Sequence, residues 1–139
     1  MRSLARRLGA GLAGALLSLP LLVATAAPSE AALISGCSLS ATRPFTDGVT
    51  AFGTATGSCT GGNAYMDYTN SRIQRQETIS WSSGPWYYGN PVPAQVSISK
   101  QSQLNCNGTG TRTWRTNGQA GDIYGGTATV YTTGQSLTC

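Results

Sequence analysis

An all-β fold, a small immunoglobulin-like two-sheet sandwich of about seven strands with two disulfides, is what this sequence predicts, and three observations predict it. Small and apolar residues recur at every second position in several windows. No eleven-residue window beyond residue 31 sustains apolar positions at i, i+3, i+4 and i+7, the stripe a helix needs. Turn dipeptides rich in Gly, Asn and Pro punctuate the chain at short intervals, and Thr, Ser and Gly fill the stretches between them.

The first segment stands apart from this pattern. Arg2, Arg6 and Arg7 precede the apolar run LGAGLAGALLSLPLLVATAA, which closes on small residues as an export signal does. Cleavage after Ala26 or after Ala31 fits that rule; the second is expected, because it leaves a single domain over residues 32–139. Glycines and Pro20 interrupt the run, so a retained membrane helix is not expected and the product is expected to be secreted. The Arg6-Arg7 pair also raises the twin-arginine route, for which Leu8-Gly9 is a poor continuation.

Beyond the leader, the odd positions from Val49 to Cys59 read Val, Ala, Gly, Ala, Gly, Cys, and the even ones Thr, Phe, Thr, Thr, Ser. That is a strand with one buried face, ending on a buried cysteine. AYMDYTNSRIQR, from residue 64, is rich in β-forming residues and reads as the next strand. Three prolines between residues 82 and 93 make regular strand improbable there. AQVSISK, from residue 94, places Val96 and Ile98 on one face, and GGTATVYTT, from residue 125, places Ala128 and Val130 opposite Thr129 and Tyr131.

Between these two lies CNGTGTRTWRTNG, residues 106–118. It reads as a strand running into a hairpin turn at Asn117-Gly118, the strongest short hairpin signal. Arg112 and Trp114 then share one face and Arg115 lies opposite. Trp114 either stacks with Arg112 at the surface or, because Cys106 belongs to the same alternating series, packs in the core with a bulge at the glycines turning Arg112 outward.

Cys37, Cys59, Cys106 and Cys139 are an even set in an exported chain, which predicts two disulfides. Three pairings are open; Cys37–Cys59 with Cys106–Cys139 is expected, since each would staple sequence neighbours in a meander. No CxxC pair and no His occur, so neither a metal nor another cofactor is expected. Cleavage after Ala31 leaves six basic and four acidic residues, a net charge of +2, with the arginines dispersed. Nucleic acid needs a clustered basic stripe and is not an expected partner.

The chain resembles a loose group of small exported two-disulfide immunoglobulin-like proteins of actinobacteria. GTATGSC at 53–59, RIQR at 72–75, CNGTGTRTWRT at 106–116 and SLTC at 136–139 carry the likeness. The resemblance implies fold and compartment. It implies no activity, since the group is largely without one, although some similar small exported sandwiches serve as adaptor subunits in secreted toxin complexes.

Without His, no Ser–His or Cys–His device can form, and Asp47, Asp67, Glu77 and Asp122 are the carboxylates that remain. Asp67 and Glu77, read as members of adjoining strands, are the candidate glycosidase-like pair, but ordinary surface carboxylates are the simpler reading and the chain is not expected to be an enzyme. Binding has better support. WSSGPWYYGNP gathers Trp81, Trp86, Tyr87 and Tyr88, rigid contact area suited to a sugar face or a protein, or else to loop packing. With Arg112, Trp114 and Arg115 they are the candidate binding residues. The expected role is a non-catalytic binding or adaptor module for another exported protein or a cell-wall glycan. The alternatives are an inhibitor of a secreted hydrolase, inserting Trp86-Tyr87-Tyr88 or Trp114-Arg115, and a structural envelope-surface protein.

Overall fold

The alternation of small residues between positions 51 and 59 sets the distance between the two layers. Ala51, Gly53, Ala55, Gly57 and Cys59 all point inward, and a Cβ at Gly53 would fall on the Thr116 side chain and 2.8 Å from Ile73 Cδ1 of the opposite sheet. Two sheets can approach this closely only where one contributes almost no side chain.

The computed structural model describes residues 32–60, 62–89 and 95–139, which form an all-β immunoglobulin-like sandwich. Its strands are β1 (Cys37–Ala41), β2 (Phe45–Thr46), β3 (Thr50–Cys59), β4 (Met66–Gln76), β5 (Trp81–Ser83), β6 (Tyr87–Gly89), β7 (Ser97–Asn105), β8 (Thr111–Asp122), β9 (Thr127–Tyr131) and β10 (Gln135–Thr138). Seven of them have four or more residues; the other three are short edge pieces. In the first sheet β3 is central, with β7 along one side and β1 and β2 sharing the other. In the second, β4 and β8 pair along most of their length, β5 and β6 share the free side of β4, and β9 and β10 share that of β8. All pairings are antiparallel. The expected leader lies outside the described residues, as do Gly61 and residues 90–94.

The core is divided. Ala51, Ile73, Cys106, Trp114 and Leu137 form one apolar cluster, and Cys59, Met66, Ile98 and Ala120 form another. Between them lie small and polar groups that satisfy one another. Ser71 and Ser102 share a hydrogen bond of 2.9 Å, each hydroxyl reaches the Gly53 carbonyl, and Thr116 donates to the carbonyl of Thr42. Each apolar half holds one disulfide. Cys37–Cys59 joins register partners of β1 and β3, whereas Cys106–Cys139 ties the end of β7 in one sheet to the end of β10 in the other. The expected pairing is therefore present, but the second bridge closes the sandwich between its layers rather than stapling a meander.

Three sequence expectations are corrected. Asn117-Gly118 is not a turn: it lies within β8, where Asn117 stands between Arg72 and Tyr131, and Gly118 between Ser71 and Val130. Gly118 is there for clearance, since a Cβ would stand 2.7 Å from Ala55 Cβ of the other sheet. The turn falls instead at residues 106–110, where Gly108 (φ 75°) and Gly110 (φ 65°) adopt left-handed backbone. Val96 is exposed and precedes β7, its carbonyl accepting from the Cys59 amide, so it does not share the buried face of Ile98. Residues 82–89 are more regular than their prolines suggested, because Pro85 falls between β5 and β6 while both pair with the long edge of β4.

The end of β8 anchors the start of the described chain. Asp122, 3% exposed, accepts the amides of Ile34, Tyr124 and Gly126 at 2.7, 2.8 and 3.0 Å. Burial alone would raise the pKa of this carboxyl, but the three backbone donors outweigh it and hold the pKa below the ordinary value. A depressed folded-state pKa gives stability that is present above the unfolded value, about 3.9, and lost as the pH falls through the folded value. The stability gap between the native protein and Asp122→Asn is thus expected to be constant above about pH 5 and to shrink below about pH 4. Urea midpoints measured from pH 6 to pH 2 check this; a gap that does not change with pH would contradict it.

Candidate recognition surface

Alternation along β4 and β8 sends Ile73 and Trp114 into the core and their neighbours Arg72, Gln74 and Arg115 onto the outer face of the second sheet. There the side chains interlock across strands. Ser83 of β5 accepts from Gln74 Nε2 at 2.7 Å, and Gln74 Oε1 accepts from Arg115 Nε at 2.8 Å. The Arg115 guanidinium is held between two rings, 4.0 Å from the centroid of Trp81 and 4.3 Å from that of Tyr131. Arg72 lies 4.3 Å over Trp86. Cation–π contacts of this kind contribute about 0.5–1 kcal/mol each at exposed sites, so their main effect is to fix the arginines in place.

The charge balance of this face is one-sided. Among the described residues Arg75 pairs with Glu77 at 2.8 Å, and neither Arg72 nor Arg115 has a carboxylate within salt-bridge distance. Arg115 has its pKa lowered, first by burial and also by the neighbouring Arg72, with Tyr131 opposing. Hydrogen-bonding capacity is unspent as well. Asn117 lies in register between Arg72 and Tyr131 and is fully buried, with neither amide atom partnered; Asn70 Oδ1 and Arg72 Nε are buried without partners too.

The expected binding residues separate into groups. Trp81, Trp86 and Arg115 belong to the stacked surface, and Tyr88, 64% exposed, extends it opposite Asn70. Tyr87, the first residue of β6, is half-buried. Arg112 is exposed at the start of β8 and lines a polar cleft of about 400 Å³ with Gln76, Glu77 and Thr113, at the end of the same sheet. Trp114 is fully buried, so it offers no surface; its ring meets Arg75 at 5.9 Å rather than Arg112. Since 111–118 is continuous strand, it presents no turn that could be inserted into another protein. Arg72, Gln74 and Tyr131 were missed as site residues. The signal that could have found them is the alternation of SRIQR and TATVY, in which Arg72 and Gln74 flank Ile73 and Tyr131 follows Val130.

Asp67 and Glu77 are not on adjoining strands. Asp67 lies near the start of β4 and Glu77 just past its end, ten residues or roughly 33 Å apart at the rise of a strand, so they cannot act on one bond. Among the described residues no group of three His, Cys, Asp or Glu is placed to hold a metal ion. No known protein family and no curated protein matches the chain.

Proposed function

We propose that the protein is an exported, non-catalytic binding module that recognises another exported protein or a cell-wall glycan through the outer face of the β4–β8 sheet. The observation that carries this reading is the clamping of Arg115 between Trp81 and Tyr131, beside the Arg72–Trp86 pair, on a sheet that the Cys106–Cys139 bridge ties to the other layer. Arg, Trp and Tyr are the residues that most often dominate binding energy, and holding them on strands lowers the entropy lost on docking. Two disulfides suit an oxidising compartment, in agreement with the export signal read in the sequence.

Tagged protein recovered from secretion of the full-length chain, passed over culture supernatant and over a cell-wall fraction, tests this reading. A stoichiometric partner or retention on the wall is expected. Tyr88→Ala removes an exposed ring, so the melting temperature should hardly move, a change within about 0.5 kcal/mol. Binding should weaken by about 2 kcal/mol, as for other hot-spot aromatics. Unchanged binding in Tyr88→Ala and Trp86→Ala together would move the contact surface away from this face.

A further inference from the structure

The chemistry of the same face specifies its occupant more narrowly. Resting on the proposed recognition role, we infer that the ligand is an acidic polysaccharide whose uronate carboxylates are forked by Arg72 and Arg115 while its hydroxyls engage the amide of Gln119.

The arginines are prepared for a carboxylate. Aromatic rings cover guanidinium faces, and Arg115 spends its Nε on Gln74, which leaves its terminal N–H groups at the edge of the plane. An arginine edge matches a carboxylate with two parallel hydrogen bonds. The two side chains stand on diagonal positions of the β4–β8 pair, Arg72 opposite Asn117 and Arg115 opposite Gln74, and no carboxylate of the described chain neutralises either. A ligand that brings carboxylates at intervals relieves their mutual repulsion.

The remaining side chains decide between a glycan and an acidic protein. Apart from the exposed Asp67 in the irregularity at the start of β4, the described outward positions of β4, β5, β6, β8, β9 and β10 carry aromatic, amide, hydroxyl and guanidinium groups, with no aliphatic side chain among them. Rings of this face are already engaged by the guanidinium groups, Trp81 and Tyr131 by Arg115 and Trp86 by Arg72, so what the face leaves unmatched is positive charge rather than apolar area. Sugar rings carry hydroxyls that both donate and accept beside their carboxylate, which suits the amide of Gln119, half-buried two positions from Asn117 on the same face. Tyr88 and Tyr131, both more than half exposed, supply ring faces against which a sugar can stack.

Affinity electrophoresis of the secreted protein tests the inference, with polygalacturonate, a neutral glucan or poly-L-glutamate cast in the gel at low and at physiological salt. Retardation by polygalacturonate at both salts is expected, at least ten-fold stronger than by either other polymer. R72Q/R115Q should lose that retardation, and R72K/R115K should lose most of it because an ammonium cannot fork a carboxylate. R43Q/K100Q, which removes the same charge elsewhere, should keep it. Equal retardation by poly-L-glutamate, or full binding by R72K/R115K, would reduce the effect to charge attraction and overturn the inference. Equal retardation by the neutral glucan, or no retardation by any polymer while an exported partner is captured, also overturns it but leaves the recognition role standing. Failure to bind any polymer, supernatant component or wall fraction removes both. The polymer comparison uses the unaltered protein, so it decides the matter even if a variant folds poorly.

Discussion

Reduction of both disulfides is expected to destabilise the protein by about 7 kcal/mol and to unfold it near room temperature. The bridges close separations of 22 and 33 residues, and on the loop-entropy account each contributes about 3–4 kcal/mol. A domain of this size has a total stability of the same order. The divided core makes the dependence sharper. Neither apolar cluster is large, the belt between them is built of glycine and hydroxyl side chains, and each cluster includes one bridge. Losing a bridge therefore also loosens the packing around it. Thermal melts followed by near-ultraviolet circular dichroism, with and without reductant, check the expectation, and non-reducing peptide maps should join Cys37 to Cys59 and Cys106 to Cys139. A reduced protein that still melts cooperatively within about 10 °C of the oxidised one would show that the clusters suffice alone.

How far the sequence could be read depended on whether a residue's role is local or relational. The buried face of β3 is legible because Ala, Gly, Ala, Gly, Cys alternate without interruption, and one strand's period needs no knowledge of its partners. Asn117-Gly118 misled for the opposite reason. As a dipeptide it is the best hairpin signal available, but β8 pairs on both sides there and Gly118 answers to Ala55 in the other sheet. A glycine chosen for clearance and a glycine chosen for a turn look the same until the opposite layer is known. The recognition surface shows the same limit. Trp81 and Trp86 were visible as a cluster, whereas Arg72 and Tyr131 acquire meaning only when β4, β8 and β9 lie side by side and put a cation between rings that are far apart in sequence.

The two outer faces of the sandwich differ in a way that bears on orientation. On the first sheet, outward positions of β1, β3 and β7 include Ser38, Ser40, Thr54, Thr56, Ser58, Ser99 and Gln101, with Phe52 stacked on Phe45 at one end, and hydroxyl pairs such as Thr56–Ser99 at 2.9 Å satisfy one another. These described positions carry no charge. The second sheet holds two arginines without carboxylate partners. The anionic ligand proposed above would therefore be steered to one side of a molecule whose overall charge is small, and the effect should weaken as added salt shortens the screening length.

Trp114→Ala is expected to cost about 3–5 kcal/mol, the range for truncating a buried aromatic. For a domain near 100 residues this corresponds to a fall in melting temperature of roughly 15–25 °C. Trp114 is the largest fully buried side chain, and it occupies the half of the core that also holds Ile73, Leu137 and the Cys106–Cys139 bridge. Truncation leaves a cavity that can collapse little, because the bridge fixes β7 to β10 on one side and β8 is paired to β4 and β10 on the other. The indole N–H is buried with no hydrogen-bond partner among the described residues, so the ring acts through packing alone. Trp114→Phe, which keeps an aromatic ring and sheds the unpartnered N–H, should accordingly lose much less than Trp114→Ala. Arg115→Ala, one residue along and on the other face, removes the Trp81–Arg115–Tyr131 stack and should change ligand retention more than the melt. Melting and binding measured on the three variants separate the roles of the two neighbours. If Trp114→Ala instead left the melt unchanged and abolished binding, the tryptophan would have to be at the surface, and the inward assignment of this face of β8 would be wrong.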